Sequence, residues 1–144
     1  NGKELVLINT HKSAYDNEGK VKEIQMMELK KIIIPEYEHG NYVIVGGDWN
    51  QFPPGYKENN NLPPADPALN VPDDFMPHNW RWVFDSKHPT NRKMHMPYEP
   101  GVTPTQLLDF FLISPNVEVI ASSTIDQQFE FSDHHPVYMR VILK

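Results

Sequence analysis

A chain of 144 residues without cysteine excludes a disulfide framework and a thiolate metal site, and its formal net charge of −6 argues weakly against capture of nucleic acid by bulk positive charge while leaving room for a local basic groove. Its length suits one domain with a real core, and no apolar run approaches a membrane span. Neither fact fixes a compartment.

In chain order, Asn1-Gly2 ahead of KELVLINTH has the chemistry of a type I′ hairpin turn whose first strand is missing. A frayed end beside a lone strand would read the same way; our expectation is the later part of a longer protein. Residues 4–9 (ELVLIN) read as a largely buried strand and residues 15–20 as a polar loop. Residues 21–34 favour helix, with Met26, Leu29 and Ile33 at i, i+3 and i+7, and Pro35 is expected to end it. Residues 42–45 form a β-branched run closed by Gly46-Gly47, a second buried strand. Residues 51–77 are rich in Pro and Asn without a period of 2 or 3.6, which at this chain length suits a long ordered loop better than a linker. Residues 80–84, 107–114, 118–123 and 136–143 read as further strands. Helix and strand therefore mix, with strands in the majority.

Four stretches carry residues fit for chemistry. VIVGGDWNQ runs a buried strand into two glycines and then Asp48 and Asn50, which project to one side if the backbone stays extended. A carboxylate and an amide there suit a hard cation or a phosphate-bound water, although Asp-Trp-Asn also makes a plain turn. In QLLDFFLISPN, Asp109 is the sole charge in an apolar run, so it needs either water at a strand end or a partner, naturally a histidine. In FSDHHPV, Asp133 and His134 are adjacent and share a site only if they lie in a loop, which Pro136 favours by placing the strand start behind them. INTHKSAY sets Asn9 and His11 at i and i+2 on a strand end, a pattern equally suited to a structural histidine. His39, His78, His88 and His95 show no ligand spacing. Asp48, Asp109 and Asp133, if brought together, would repel, and a divalent cation would offset that; oxygen ligands without thiols favour Mg²⁺ or Mn²⁺ over Zn²⁺.

These stretches, in this order, resemble the endonuclease/exonuclease/phosphatase superfamily of metal-dependent phosphoesterases. INTHKSAY looks like its strand-end N-T-H motif, VIVGGDWNQ like its G-D-x-N motif, LLDFFLIS like its L/I-D-Y/F segment and FSDHHPV like its terminal S-D-H-x-P-V. The resemblance implies an α/β fold, the DNase I-like four-layer α/β sandwich. Residues 1–144 would supply the later, C-terminal part of that single domain, mostly antiparallel strands with one main helix. The family's early metal-binding Asn and Glu have no counterpart in this sequence.

By the same resemblance, Asp133 is a metal ligand and Asp48 a second metal ligand or the base. Asn50 positions the attacking water or a phosphate oxygen. His134, oriented by Asp109, bonds the scissile phosphate or takes a proton, and His11 contacts the phosphate and helps the leaving group. Asn9 and Arg92 join Asn50 as substrate-binding candidates, with Lys93 and Tyr98 near Arg92 at a substrate rim that also reads as solvated loop. His135 holds the variable place in the motif and is expected to turn away. The implied reaction is hydrolysis of a phosphoester by in-line attack of water, with Mg²⁺ or Mn²⁺, on a substrate class (DNA, inositol phosphate, phospholipid or other) left open. The chain alone is expected to be inactive, and half a sandwich would expose a sheet face that self-associates or takes the N-terminal half. The contrasting expectation is a binding or scaffold module that keeps the fold without catalysis.

Overall fold

The computed structural model describes residues 2–56 and 70–144. Its elements in chain order are β1 (Leu5–His11), α1 (Lys20–Glu38), β2 (Tyr42–Asp48), β3 (Arg81–Val83), β4 (Asn91–Arg92), β5 (Thr105–Gln106), β6 (Asp109–Ile113), β7 (Val117–Thr124) and β8 (Val137–Leu143). The class is mixed α/β, with strands in the majority and one helix among the described residues. A mixed sheet runs in the order β1-β2-β6-β3, with β1 and β2 parallel and the other pairs antiparallel. Two ribbons, β4-β5 and β7-β8, complete the strands. No helix among the described residues is long and apolar enough to cross a membrane.

Strand alternation sorts the sheet's side chains to two faces. On one, Val6, Ile8, Val43, Val45, Phe110 and Leu112 meet Met26, Leu29 and Ile33 of α1. That core continues into Trp49, whose ring stacks on Phe110 at 5.1 Å and whose Nε1 donates to the Phe110 carbonyl at 3.0 Å. On the other, Ile44, Val83 and Ile113 pack with Val117, Val119, Met139 and Val141 of β7-β8. Helix, sheet and ribbon thus form successive layers around two small cores.

Several elements depart from the sequence reading. β1 is the edge of its sheet and not a buried strand, because nothing among the described residues covers its outward face: Leu5 is 49% and Leu7 64% exposed. Pro35 does not end α1. Its missing N–H falls in the last turn, where one lost bond is tolerated, and His39 N–H still closes on the Pro35 carbonyl at 2.9 Å. Gly46-Gly47 does not close β2 either, and the strand runs through both to Asp48. The turn beyond it holds Asn50 at φ 46, so Asp48 and Asn50 do not share an extended backbone. The short ribbon β4-β5 was invisible in the sequence. Of the expected 51–77 loop, residues 57–69 lie outside the described residues; Phe52 bridges Asn70 on either side.

Glycine is needed at 47 for two reasons. Its φ is 137, and a Cβ there would collide with the Thr10 carbonyl of the neighbouring strand. That close contact seats β1 against the end of β2. Gly47→Ala is expected to destabilise the fold by roughly 2–4 kcal/mol in urea unfolding, whereas a wild-type-like midpoint would show that β1 is free to shift.

Candidate active site

The register builds the site. His11, Asp48 and Asp109 are direct neighbours across β1, β2 and β6, so all three side chains leave the same sheet face at the same end. Asn9 lies on the same face one rung back, opposite Gly46, exposed and outside the lining of the cleft described below. Loop 132–136 then lays His134 over the rung: its Nδ1 bonds Asp109 Oδ2 at 2.7 Å, and its Nε2 is 3.9 Å from Asp48 Oδ2. His11 Nε2 approaches the same Asp48 oxygen at 3.5 Å from the exposed side.

Asp48 is held by the turn that follows it. Asn50 N–H donates to Asp48 Oδ1 at 2.8 Å, and Asn50 Nδ2 donates to Asp48 Oδ2 at 3.1 Å and to the Lys12 carbonyl at 2.9 Å. The turn and the site, alternatives in the sequence, are one feature. With its amide nitrogen so committed, Asn50 presents its carbonyl oxygen, an acceptor suited to a water proton rather than to a phosphate oxygen.

The charges are matched unevenly. Burial raises the Asp48 pKa above the usual carboxylate value, Asn50's N–H opposes this, and the neighbouring Asp109 charge adds to the rise. The hydrogen bond to Asp109 raises the His134 pKa, against burial and with help from the Asp109, Asp48 and Asp133 charges. Asp109 and His134 therefore act as a carboxylate–imidazole pair that fixes Nδ1 as the donor and leaves Nε2 facing the cleft.

A cleft of about 840 Å³ opens over this rung, lined by His11, Asp48, Asn50, Asp133 and His134, and also by Arg92, Lys93 and His95. Asp133 thus borders the same space as Asp48. Arg92 borders it too, but its Nη1 donates to the Lys93 and Met96 carbonyls at 3.2 and 3.3 Å, which ties the guanidinium to its own loop. Among the described residues no three His, Asp or Glu side chains converge to cage an ion. Asp48 and Asp133 are the two carboxylates that line the cleft. His135, 4% exposed, turns inward to stack on Phe129 at 3.7 Å, with Nδ1 on the Pro89 carbonyl at 3.1 Å.

Thr90 and Asn91, missed by sequence reasoning beside the singled-out Arg92, hold the site together. Thr90 Oγ1 accepts the N–H groups of Leu108 and Asp109, both at 2.9 Å, and the Thr90 carbonyl accepts His135 N–H at 2.7 Å. Asn91 Nδ2 reaches His134 Nε2 at 2.9 Å, and Arg92 N–H donates to the Asp133 carbonyl at 3.0 Å. PTNR carries no periodicity or motif that would have marked them.

The chain matches no family model and no curated protein. Among solved structures, it is similar to a functionally unknown conserved protein from Enterococcus faecalis V583, with a TM-score of 0.61 at 14% identity over 96% of this chain and 50% of that one. An endonuclease/exonuclease/phosphatase from Bacteroides vulgatus superposes with a TM-score of 0.49 at 14% identity, over 94% of this chain and 48% of that one. The chain therefore spans about half the length of each.

The Asp109–His134 pair gives a pH signature. Because the folded-state pKa of His134 is raised, its stabilisation is fully present below the unfolded value of about 6.5 and is lost as pH rises through the folded value. Asp109→Asn is expected to lower the His134 pKa in an NMR titration of its ring protons and to cost roughly 1.5–3 kcal/mol of stability below pH ~6.5, with a smaller cost above it. An unchanged titration would mean that the two side chains do not pair in solution.

Proposed function

We propose that the chain carries the catalytic half of a metal-dependent phosphoester hydrolase of the endonuclease/exonuclease/phosphatase type, built on a DNase I-like sandwich. The observation that carries this reading is the rung of His11, Asp48 and Asp109 capped by His134. It sets a carboxylate base and two imidazoles around one open cleft, from stretches whose sequences match the family's motifs in order.

In this reading, Asp48 accepts the proton of an attacking water that the Asn50 carbonyl orients. The water oxygen forms the new P–O bond as the ester P–O bond breaks in line. His134, held by Asp109, turns its Nε2 from the Asn91 side-chain amide, which it meets at 2.9 Å, to donate to a phosphoryl oxygen, and His11 stabilises or protonates the departing oxygen from the open side. Asp48 and Asp133 would hold Mg²⁺ or Mn²⁺, which when bound neutralises charge developing on the phosphoryl group. With two carboxylates lining the cleft among the described residues, we expect full turnover to call for further ligands from a longer form of the protein, and the chain alone to be inactive. Arg92 serves the substrate by lining the cleft rather than by a free guanidinium.

Manganese used as a paramagnetic probe is expected to broaden the amide signals of Asp48 and Asp133 first, and Asp133→Asn to weaken that effect at least tenfold; broadening centred elsewhere would refute the ion site. With bis(p-nitrophenyl) phosphate and Mg²⁺, the chain by itself should show no turnover. A longer form containing it should hydrolyse the ester and lose about 10²–10⁴-fold in kcat on His134→Ala. Turnover by the chain alone would refute its incompleteness, and a longer form indifferent to His134→Ala would favour a non-catalytic module.

The uncovered side of β1 adds a second expectation. Leu5 and Leu7 share the face that packs β7-β8, and the rest of that face invites association. Sedimentation velocity should show concentration-dependent self-association that Leu7→Lys weakens. A monodisperse monomer at all concentrations would show that the chain completes its core alone.

A further inference from the structure

Helix α1 directs one stripe inward: Lys22, Met26 and Ile33 are its buried residues, with Leu29 partly buried against the same core. The spacing i, i+4, i+7 and i+11 puts a lysine at the first position of an otherwise apolar stripe. Lys22 is 3% exposed. Its backbone N–H is bound, by Asp16 Oδ2 at 2.9 Å, but among the described residues its ammonium has neither a hydrogen-bond acceptor nor a carboxylate in ion-pair range. What remains open of it borders the active-site cleft, on the side formed by His11, Tyr15, Asn17, Asn50 and Phe52.

Lys12 is a second buried lysine. Also 3% exposed, it hydrogen-bonds Gln51 Oε1 and lies 5.4 Å from the centroid of the Trp49 ring. Burial, and then the Lys22 charge, lower the Lys12 pKa to about 7, with Asp48 pulling weakly the other way. Two lysine side chains are thus buried with charges that oppose one another, and among the described residues neither has a carboxylate in ion-pair range. An unpaired buried charge is costly, and the nearest means of offsetting it is an anion from the cleft. The lining as a whole agrees: three Lys and Arg side chains against two Asp, in a chain whose net charge is −6.

We propose that Lys22, backed by Lys12, forms a second anion subsite in the cleft, beside the rung of His11, Asp48 and His134, and that the substrate is a phosphoester bearing a second phosphate that docks there. The substrate class rests on the phosphoester reading above; the subsite rests on Lys22 itself. Neither Lys12 nor Lys22 takes part in the bond-breaking chemistry, so the subsite contributes binding and orientation.

Inorganic phosphate titrated calorimetrically into the metal-free chain at pH 7 tests this. Two binding events are expected, one weakened at least tenfold by Lys22→Met and retained by Lys22→Arg, the other lost in His134→Ala. Lys22→Met should also raise the melting temperature in phosphate-free buffer, since it replaces an unpaired buried cation by an apolar side chain of similar length, and this confirms that the variant folds. Phosphate binding unaffected by Lys22→Met overturns the subsite, as does a lowered melting temperature of that variant in the absence of phosphate. An event lost in Lys22→Met alongside indifference to His134→Ala would uphold the subsite and refute the phosphoester reading instead.

Discussion

Two carboxylates side by side set the terms for this molecule. Asp48 and Asp109 face one another across β2 and β6, at the end of a sheet whose register leaves them no choice of direction. Like charges so placed cost stability, and burial adds to the cost. The surrounding structure offsets it group by group. Asp109 takes the His134 imidazole, and Asp48 takes the Asn50 N–H groups, with His11 at its open side. What is left uncompensated, a raised Asp48 pKa in a wide cleft, is what a general base or an ion site requires.

The rung would be useless if its loops wandered, and their hold comes from a place with no chemistry of its own. Thr90 bonds the backbone of Asp109 with its hydroxyl and that of His135 with its carbonyl, so one residue fixes Asp109 and the chain neighbour of His134. His135 completes the anchor by burying its ring on Phe129. The two adjacent histidines therefore divide as chemistry and foundation: His134 faces the cleft, and His135 locks the loop from beneath.

The parts legible in the sequence were those governed by local rules. Apolar runs marked the strands, and the stripe of Met26, Leu29 and Ile33 marked the helix face. A lone Asp109 within Leu107–Ile113 called for a partner, because an isolated buried charge is costly. Tertiary context hid the rest. Pro35 was absorbed in the last turn at the cost of one hydrogen bond to the Lys31 carbonyl. β1 became an edge because no neighbour among the described residues covers it. The 89–92 segment owes its conformation to contacts with residues 106–109 and 133–135, far away in sequence, and no local pattern encodes such contacts. Lys22 was concealed by its type: a lysine in a helix reads as solvent-facing until the stripe it heads is seen to turn inward.

The central claim is that the rung of His11, Asp48 and Asp109, with His134 above it, forms an oxyanion-binding centre. Crystals soaked in tungstate, an electron-dense tetrahedral analogue of phosphate, test it directly through anomalous difference density. The account expects a peak in the cleft within hydrogen-bond reach of both His134 Nε2 and His11. Tungstate bound elsewhere, with no density over the rung, would contradict it.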